Sequence, residues 1–126
     1  MSNLSGRRIL VVNGEPLAAL MLERLLKELG CSVPGRAGKA ADAVAIIETD
    51  RLGLDAATLK FADQGSAEVA AALEGRGIPY VVTTSPDSPA VSGPLKDRPI
   101  LVAPFLLEDL KRALSALDMR QRHSTR

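Results

Sequence analysis

The chain predicts an α/β domain, a parallel sheet covered by helices. Three observations carry this. Strand and helix signals alternate from one end to the other, the pattern of βαβ units. Five short apolar runs end in polar residues: ILVVNGEP (9–16), CSVPG (31–35), DAATLKFAD (55–63), PYVVTTS (79–85) and PILVAPF (99–105). Apolar residues make up 46% of the chain but aromatic residues only 2%, so the core is built from Leu, Val, Ile and Ala. Small aliphatic cores suit parallel strands buried under helices.

The elements follow in order. Residues 8–12 are a β-rich run leading into the turn NGEP, and Pro16 stands where a first helical turn tolerates it. Residues 17–29 form a helix with Ala18, Leu22, Leu25 and Leu29 on one face and Glu23, Arg24, Lys27 and Glu28 on another; Gly30 stops it. Residues 32–33 are a short strand, and Pro34 puts it at a sheet edge. Residues 39–49 are helical, with Ala40, Val44 and Ile47 at helical spacing. Residues 55–61 are the third strand. Ser66 caps a helix over 67–74, with Glu68 near its positive end, and Gly77 ends that segment. Residues 80–84 are the fourth strand. Pro86, Pro89, Pro94 and Pro99 then exclude a long regular helix over 85–99. Residues 100–102 are a short fifth strand. The last helix covers 106–117, with Leu106, Leu110, Ala113 and Leu117 on one stripe.

At 126 residues, with no internal repeat and no linker, the chain is one domain over 1–126, its core at about 7–117 and a basic, flexible tail at 118–126. The formal net charge of +1 gives no global field for nucleic acid or anionic lipid. The tail carries Arg120, Arg122, His123 and Arg126 but no aromatic side chain to stack on a base, so it reads as a solvated terminus. No apolar stretch approaches the ~20 residues of a membrane span, and the start MSNLSGRR lacks a signal-peptide apolar region. The expected location is the cytoplasm, with no nucleic-acid or membrane partner.

Several chemistries are excluded by residue type. Cys31 is the only cysteine and His123 the only histidine, so a tetrahedral zinc site fails for want of ligands. A Ser-His-Asp or Cys-His site would have to recruit His123 from the tail. The fragment GRAGKAA (35–41) lacks the glycine spacing of a phosphate-binding loop and the hydroxyl residue after its lysine. What remains is the crevice beyond the carboxyl ends of the strands, where open parallel sheets bind ligands. Those ends offer Asn13, Gly14, Glu15, Lys60, Thr84 and Ala103.

The order VVNGEP, LKFAD, VVTTS, VAPF resembles the receiver domain of bacterial response regulators, over about residues 7–117. IPYVVTTS, followed by a proline-rich loop, looks most like alphaproteobacterial-type receivers with a shortened fourth helix. The resemblance implies a doubly wound five-stranded parallel sheet in the order 2-1-3-4-5, flavodoxin- or CheY-like, with the fourth helix shortened or replaced by a loop.

It also implies what each strand end does. In that family two acids after the first strand hold Mg²⁺; here Asn13 and Gly14 stand there, with Glu15 beside them. The phosphoryl-accepting aspartate is replaced by Lys60. The hydroxyl residue of the fourth strand is kept as Thr84. The lysine before a proline becomes Ala103, while Pro104 is kept and a cis Ala103–Pro104 bond is implied. The aromatic switch position is Ile100.

Mg²⁺ wants hard oxygen ligands, usually with carboxylates. A lysine about 4 Å from it would repel it by about 8 kcal/mol at an effective dielectric near 20. Mg²⁺ binding is therefore expected to be lost, no cofactor is expected, and the chain reads as a non-enzymatic, non-phosphorylatable receiver. The resemblance implies partners among histidine kinases, phosphotransfer proteins and other receivers, met through residues 17–29 with 103–107. A homodimer through Val91, Leu95, Ile100 and Leu107 is a second expectation. Lys60 at the crevice rim must be paired or hydrated: Glu15 and Asp63 are the nearest carboxylates by chain position, a Lys60–Glu15 pair is one expectation and a lysine reaching to solvent is the other. The alternative function is a small-anion or small-ligand sensor using Lys60 and Thr84. A conventional receiver would need another acceptor, Asp55 or Asp63.

Overall fold

The computed structural model describes residues 4–49, 51–62, 65–87, 91 and 93–119. In chain order the elements are β1 (Arg8–Val12), α1 (Pro16–Glu28), β2 (Ser32–Ala37), α2 (Ala40–Thr49), β3 (Ala56–Lys60), α3 (Ser66–Gly75), β4 (Tyr80–Thr84), a 3-10 turn (Gly93–Asp97), β5 (Ile100–Val102) and α4 (Leu107–Ser115). All strand pairs are parallel, and the sheet order is β2-β1-β3-β4-β5. The chain moves outward from β1 to β2 and then crosses back to β3. That reversal is the switch point at which such sheets open a ligand crevice.

Strand side chains alternate between two core layers. Leu10, Val12, Leu59, Tyr80 and Val82 meet Ile47 of α2 and Val69 and Leu73 of α3. Ile9, Val11, Ala56 and Val81 meet Leu22 and Leu26 of α1 and Leu110 and Leu114 of α4. The alternation is the doubly wound architecture that the sequence predicts. Between β4 and β5 the described residues hold only the 3-10 turn in place of a helix.

Several local expectations are corrected. β2 runs to Ala37 rather than ending at 33. Its register with β1 steps from Arg8↔Ser32 to Leu10↔Gly35, so Val33 and Pro34 together oppose Ile9. This bulge on the edge strand accommodates a proline that has no N–H to donate. Pro34 marks an edge, as expected, but not a strand end.

The buried face of α1 is Ala19, Leu22 and Leu26, while Ala18, Leu25 and Leu29 are half-buried. Leucines surround most of this helix, so spacing alone does not select the inward face. Ser66 does not cap α3: it is the first helical residue, and its hydroxyl accepts the Ala62 N–H at 2.7 Å. The cap is Gly65 at φ +92, where a Cβ would meet the Ala40 Cβ at 2.6 Å.

α4 begins after Leu106, which is 72% exposed; the Asp109 carboxylate accepts the Leu106 N–H at 2.9 Å. Leu110 and Leu114 form its inward pair. The expected patch of Val91, Leu95, Ile100 and Leu107 does not form a surface. Leu95 is buried in the core and Val91 packs against it. Asp63, Pro89 and the tail residues Arg120, Arg122, His123 and Arg126 lie outside the described residues. Among the described residues no helix is long and apolar enough to cross a membrane.

Candidate functional site

Four strand ends build the crevice. At the end of β1, the Asn13 N–H donates to the Ala37 carbonyl at 2.9 Å, tying the turn to β2. The Asn13 Oδ1 accepts the Glu15 N–H at 2.9 Å, an Asx turn. Pro16 then opens α1, and the Ala19 N–H reaches the Glu15 carbonyl at 2.9 Å. Gly14 is crowded: a Cβ there would lie 3.0 Å from the Gly38 carbonyl oxygen. An acidic side chain at this position would require the Gly38 segment to give way.

Lys60 ends β3 in register with Thr83 of β4. The Phe61 N–H continues that pairing to the Thr83 carbonyl at 2.8 Å. Beyond β4, the Ala103 N–H donates to the Thr84 carbonyl at 2.7 Å, and the Ala103–Pro104 bond is cis, as expected.

Two of the clefts at these ends include Lys60. The larger, about 310 Å³, brings together Asn13, Lys60, Thr83, Thr84, Ala103 and Pro104 from the sheet with Ala18, Met21, Leu22 and Leu25 of α1 and Phe105. The smaller, about 240 Å³, holds Gly14 and Glu15 with Gly38, Gly65 and Ser66. Asn13 and Lys60 line both. Ile100 is not part of either; it lines a separate groove against α4, with Phe105, Asp109 and Arg112.

The expected Lys60–Glu15 ion pair is absent. The ion pairs among the described residues are Arg7–Asp55, Arg36–Glu23, Arg98–Glu74 and Arg112–Asp109. Glu15 is exposed, and at such a site the Coulomb gain in water is offset by the entropy of fixing two side chains. Asp55 lies at the opposite end of β3, where it accepts the Arg8 N–H at 2.8 Å and pairs with Arg7, so it is remote from the crevice. Among the described residues no three His, Cys, Asp or Glu side chains gather into a group that could hold a metal ion.

Sequence reasoning did not single out Thr83, and it placed Met21 and Phe105 only within the expected partner surface of 17–29 and 103–107, not in the crevice. The double threonine in VVTTS and the leucine- and methionine-rich outer face of α1 were the signals available. Leu17 and Met21 are 77% and 66% exposed, and Leu20 and Leu106 are exposed as well. The hydroxyls of Thr58, Thr83 and Thr84 are buried without a hydrogen-bond partner among the described residues. The perturbed titrations lie elsewhere: burial raises the Cys31 thiol, and burial followed by the bond to Glu74 raises Tyr80 to about 12.

No family model matches the chain, and a search of curated proteins finds no match. Solved structures do match. SdrG from Sphingomonas melonis Fr1 is 36% identical, covers 90% of this chain and 97% of its own, and superposes with a TM-score of 0.77. Its BeF3-activated conformation, from Pseudomonas melonis Fr1, is 36% identical with 89% and 96% covered and a TM-score of 0.73. The signal receiver domain of a modulated diguanylate cyclase from Desulfovibrio desulfuricans G20 is 25% identical, with 87% and 91% covered and a TM-score of 0.71. The PhyR response regulator REC domain of Erythrobacter litoralis, 16% identical with 97% and 98% covered and a TM-score of 0.70, shares the fold. With its sheet order, its strand-end crevice and these likenesses together, the chain belongs to the response regulator receiver domains.

Proposed function

We propose that this receiver signals through protein contacts and accepts no phosphoryl group. The observation that carries the reading is Lys60 at the end of β3, lining both clefts beside Asn13. An ammonium replaces the carboxylate that would attack phosphorus, and it has no lone pair to attack with while protonated. At position 103 alanine offers nothing to neutralise phosphoryl charge.

The donor set does not fit Mg²⁺. Asn13 offers a neutral amide oxygen already engaged with the Glu15 N–H, Gly14 offers no side chain and little room for one, and Lys60 adds positive charge.

The contact surface we propose is α1 with the 103–107 loop. Exposed Met21 lines the larger cleft, exposed Leu17 and Leu20 lie on the same helix within about a turn of it, and exposed Leu106 follows the loop. A clustered apolar surface of this kind suits a partner helix. The partner classes are a histidine kinase, a phosphotransfer protein or another receiver, and these set the place of action in the cytoplasm.

Affinity capture from source cells, with mass-spectrometric identification, tests this. Wild type and Lys60→Asp should recover the same kinase, phosphotransfer protein or receiver, and Leu17→Glu with Met21→Glu should lose it. Recovery that requires phosphorylating conditions, or that survives the double glutamate change, would defeat the reading.

A further inference from the structure

Thr83 and Thr84 are 4% and 8% exposed, both line the larger cleft, and neither hydroxyl has a hydrogen-bond partner among the described residues. Burying a hydroxyl without a partner is unfavourable, so such groups point to something that supplies one. Lys60 lines the same cleft, in register with Thr83 on the neighbouring strand, so the two side chains share a sheet face. Lys60 takes part in none of the ion pairs among the described residues. The opposite wall is apolar: Met21, Leu22 and Leu25 of α1, closed by Phe105.

The cleft therefore has two unlike parts, a polar end with the Lys60 ammonium and the Thr83 hydroxyl, which share one sheet face, and an apolar trough beside it. A carboxylate suits the first part. It carries one charge for Lys60, and its second oxygen supplies an acceptor position for the Thr83 hydroxyl. Inorganic phosphate suits it less. It brings more charge and more acceptors than one ammonium and one hydroxyl can satisfy, and it would lose hydration against Met21, Leu25 and Phe105. At about 310 Å³ the cleft is at the lower end of the volumes that hold small molecules, about 300–1,000 Å³.

We propose that this cleft binds a small aliphatic monocarboxylate, its carboxylate held by Lys60 and the Thr83 hydroxyl and its chain lying between α1 and Phe105. The proposal goes beyond the signalling role and does not depend on the identity of the partner. It also recasts the anion-sensor alternative drawn from the sequence: the apolar wall selects an amphiphile over an inorganic anion.

The test is a set of nitrogen-15 NMR titrations of the full chain at millimolar ligand. Octanoate is the probe; 1-octanol, octylammonium and inorganic phosphate are the comparisons. Octanoate should shift the amides of Met21, Thr84 and Ala103 and bind at least about tenfold more tightly than octanol, the size of one charge-assisted hydrogen bond. Lys60→Met should reduce octanoate to the affinity of octanol. Thr83→Val, nearly isosteric, should weaken octanoate without changing octanol, and it carries the test if Lys60→Met does not fold. Equal binding of octanoate and octanol would overturn the proposal. So would shifts from phosphate with octanoate silent, or no shift from octanoate at all.

Discussion

The Asn13 side-chain oxygen accepts the Glu15 backbone N–H at 2.9 Å. That bond makes position 13 a turn former as well as a crevice residue. It bends the chain from β1 into α1 and orients the amide toward its own backbone. Lys60 shares both clefts with it, so the charge at the centre of the site is positive where the family's chemistry wants it negative.

Removing the acceptor should cost stability. Asn13→Ala loses one backbone-to-side-chain hydrogen bond at an exposed turn and should destabilise the fold by about 1 kcal/mol. Asn13→Asp keeps an oxygen in the same place and should stay within about 0.5 kcal/mol of wild type. Urea denaturation of the three proteins decides it; equal loss in both variants would show that the Asx turn contributes nothing.

Lys60→Ala should leave stability within about 0.5 kcal/mol of wild type, because Lys60 has no ion-pair partner among the described residues to abandon. A drop of several degrees in Tm would mean that the lysine is held in solution by a carboxylate, the pairing that the sequence suggested.

Tyr80 is the only tyrosine in a chain without tryptophan, so its ionisation can be read directly by absorbance. It is fully buried, and its hydroxyl donates to Glu74 Oε2 at 2.7 Å; burial first and that carboxylate second push it up to about 12. A folded value raised above the unfolded one means a stabilising contribution that is complete below about pH 10. It is lost as the pH rises toward 12. The phenolate signal should therefore appear well above the free-tyrosine range, either at that value or together with alkaline unfolding. Glu74 carries the opposite sign. The Tyr80 hydrogen bond, aided by Arg98, lowers its pKa, so its contribution is present at neutral pH and lost as the pH falls below the ordinary carboxylate range. Glu74→Gln should bring the phenolate midpoint down while leaving it above that of free tyrosine, since burial remains.

Much of the architecture was legible because two periodicities differ. The runs at 9–12, 56–60 and 80–84 are too short and too β-rich to be helices, and the intervening segments carry helical spacing. That the described residues between β4 and β5 hold no long helix followed from prolines that cannot donate. What spacing did not decide was the inward face of α1, because its leucines leave several faces equally apolar until the helix is packed on β1 and β2. Nor did it show the Gly65 cap, whose need is set by the approach of Ala40 from another helix. At the site, the strand ends identified Asn13, Lys60, Thr84 and Ala103, all of which line one cleft. The trough beside them was hidden because it is made by α1 side chains that meet the sheet only in three dimensions. Charge and chain proximity suggest a Lys60–Glu15 pair, but Glu15 is exposed, where an ion pair gains little over water.

The central claim is that Lys60 and Asn13 leave the crevice unable to take Mg²⁺ or a phosphoryl group. Nitrogen-15 NMR with Mg²⁺ and then beryllofluoride tests it most directly, because beryllofluoride mimics a phosphoryl group by binding a carboxylate oxygen. SdrG, which has a BeF3-activated conformation, serves as the responding control. The account predicts that the Asn13, Thr84 and Ala103 amides of this protein do not move under conditions in which SdrG converts. Saturable shifts of those amides would contradict it and return the protein to the ordinary phosphorylated receivers.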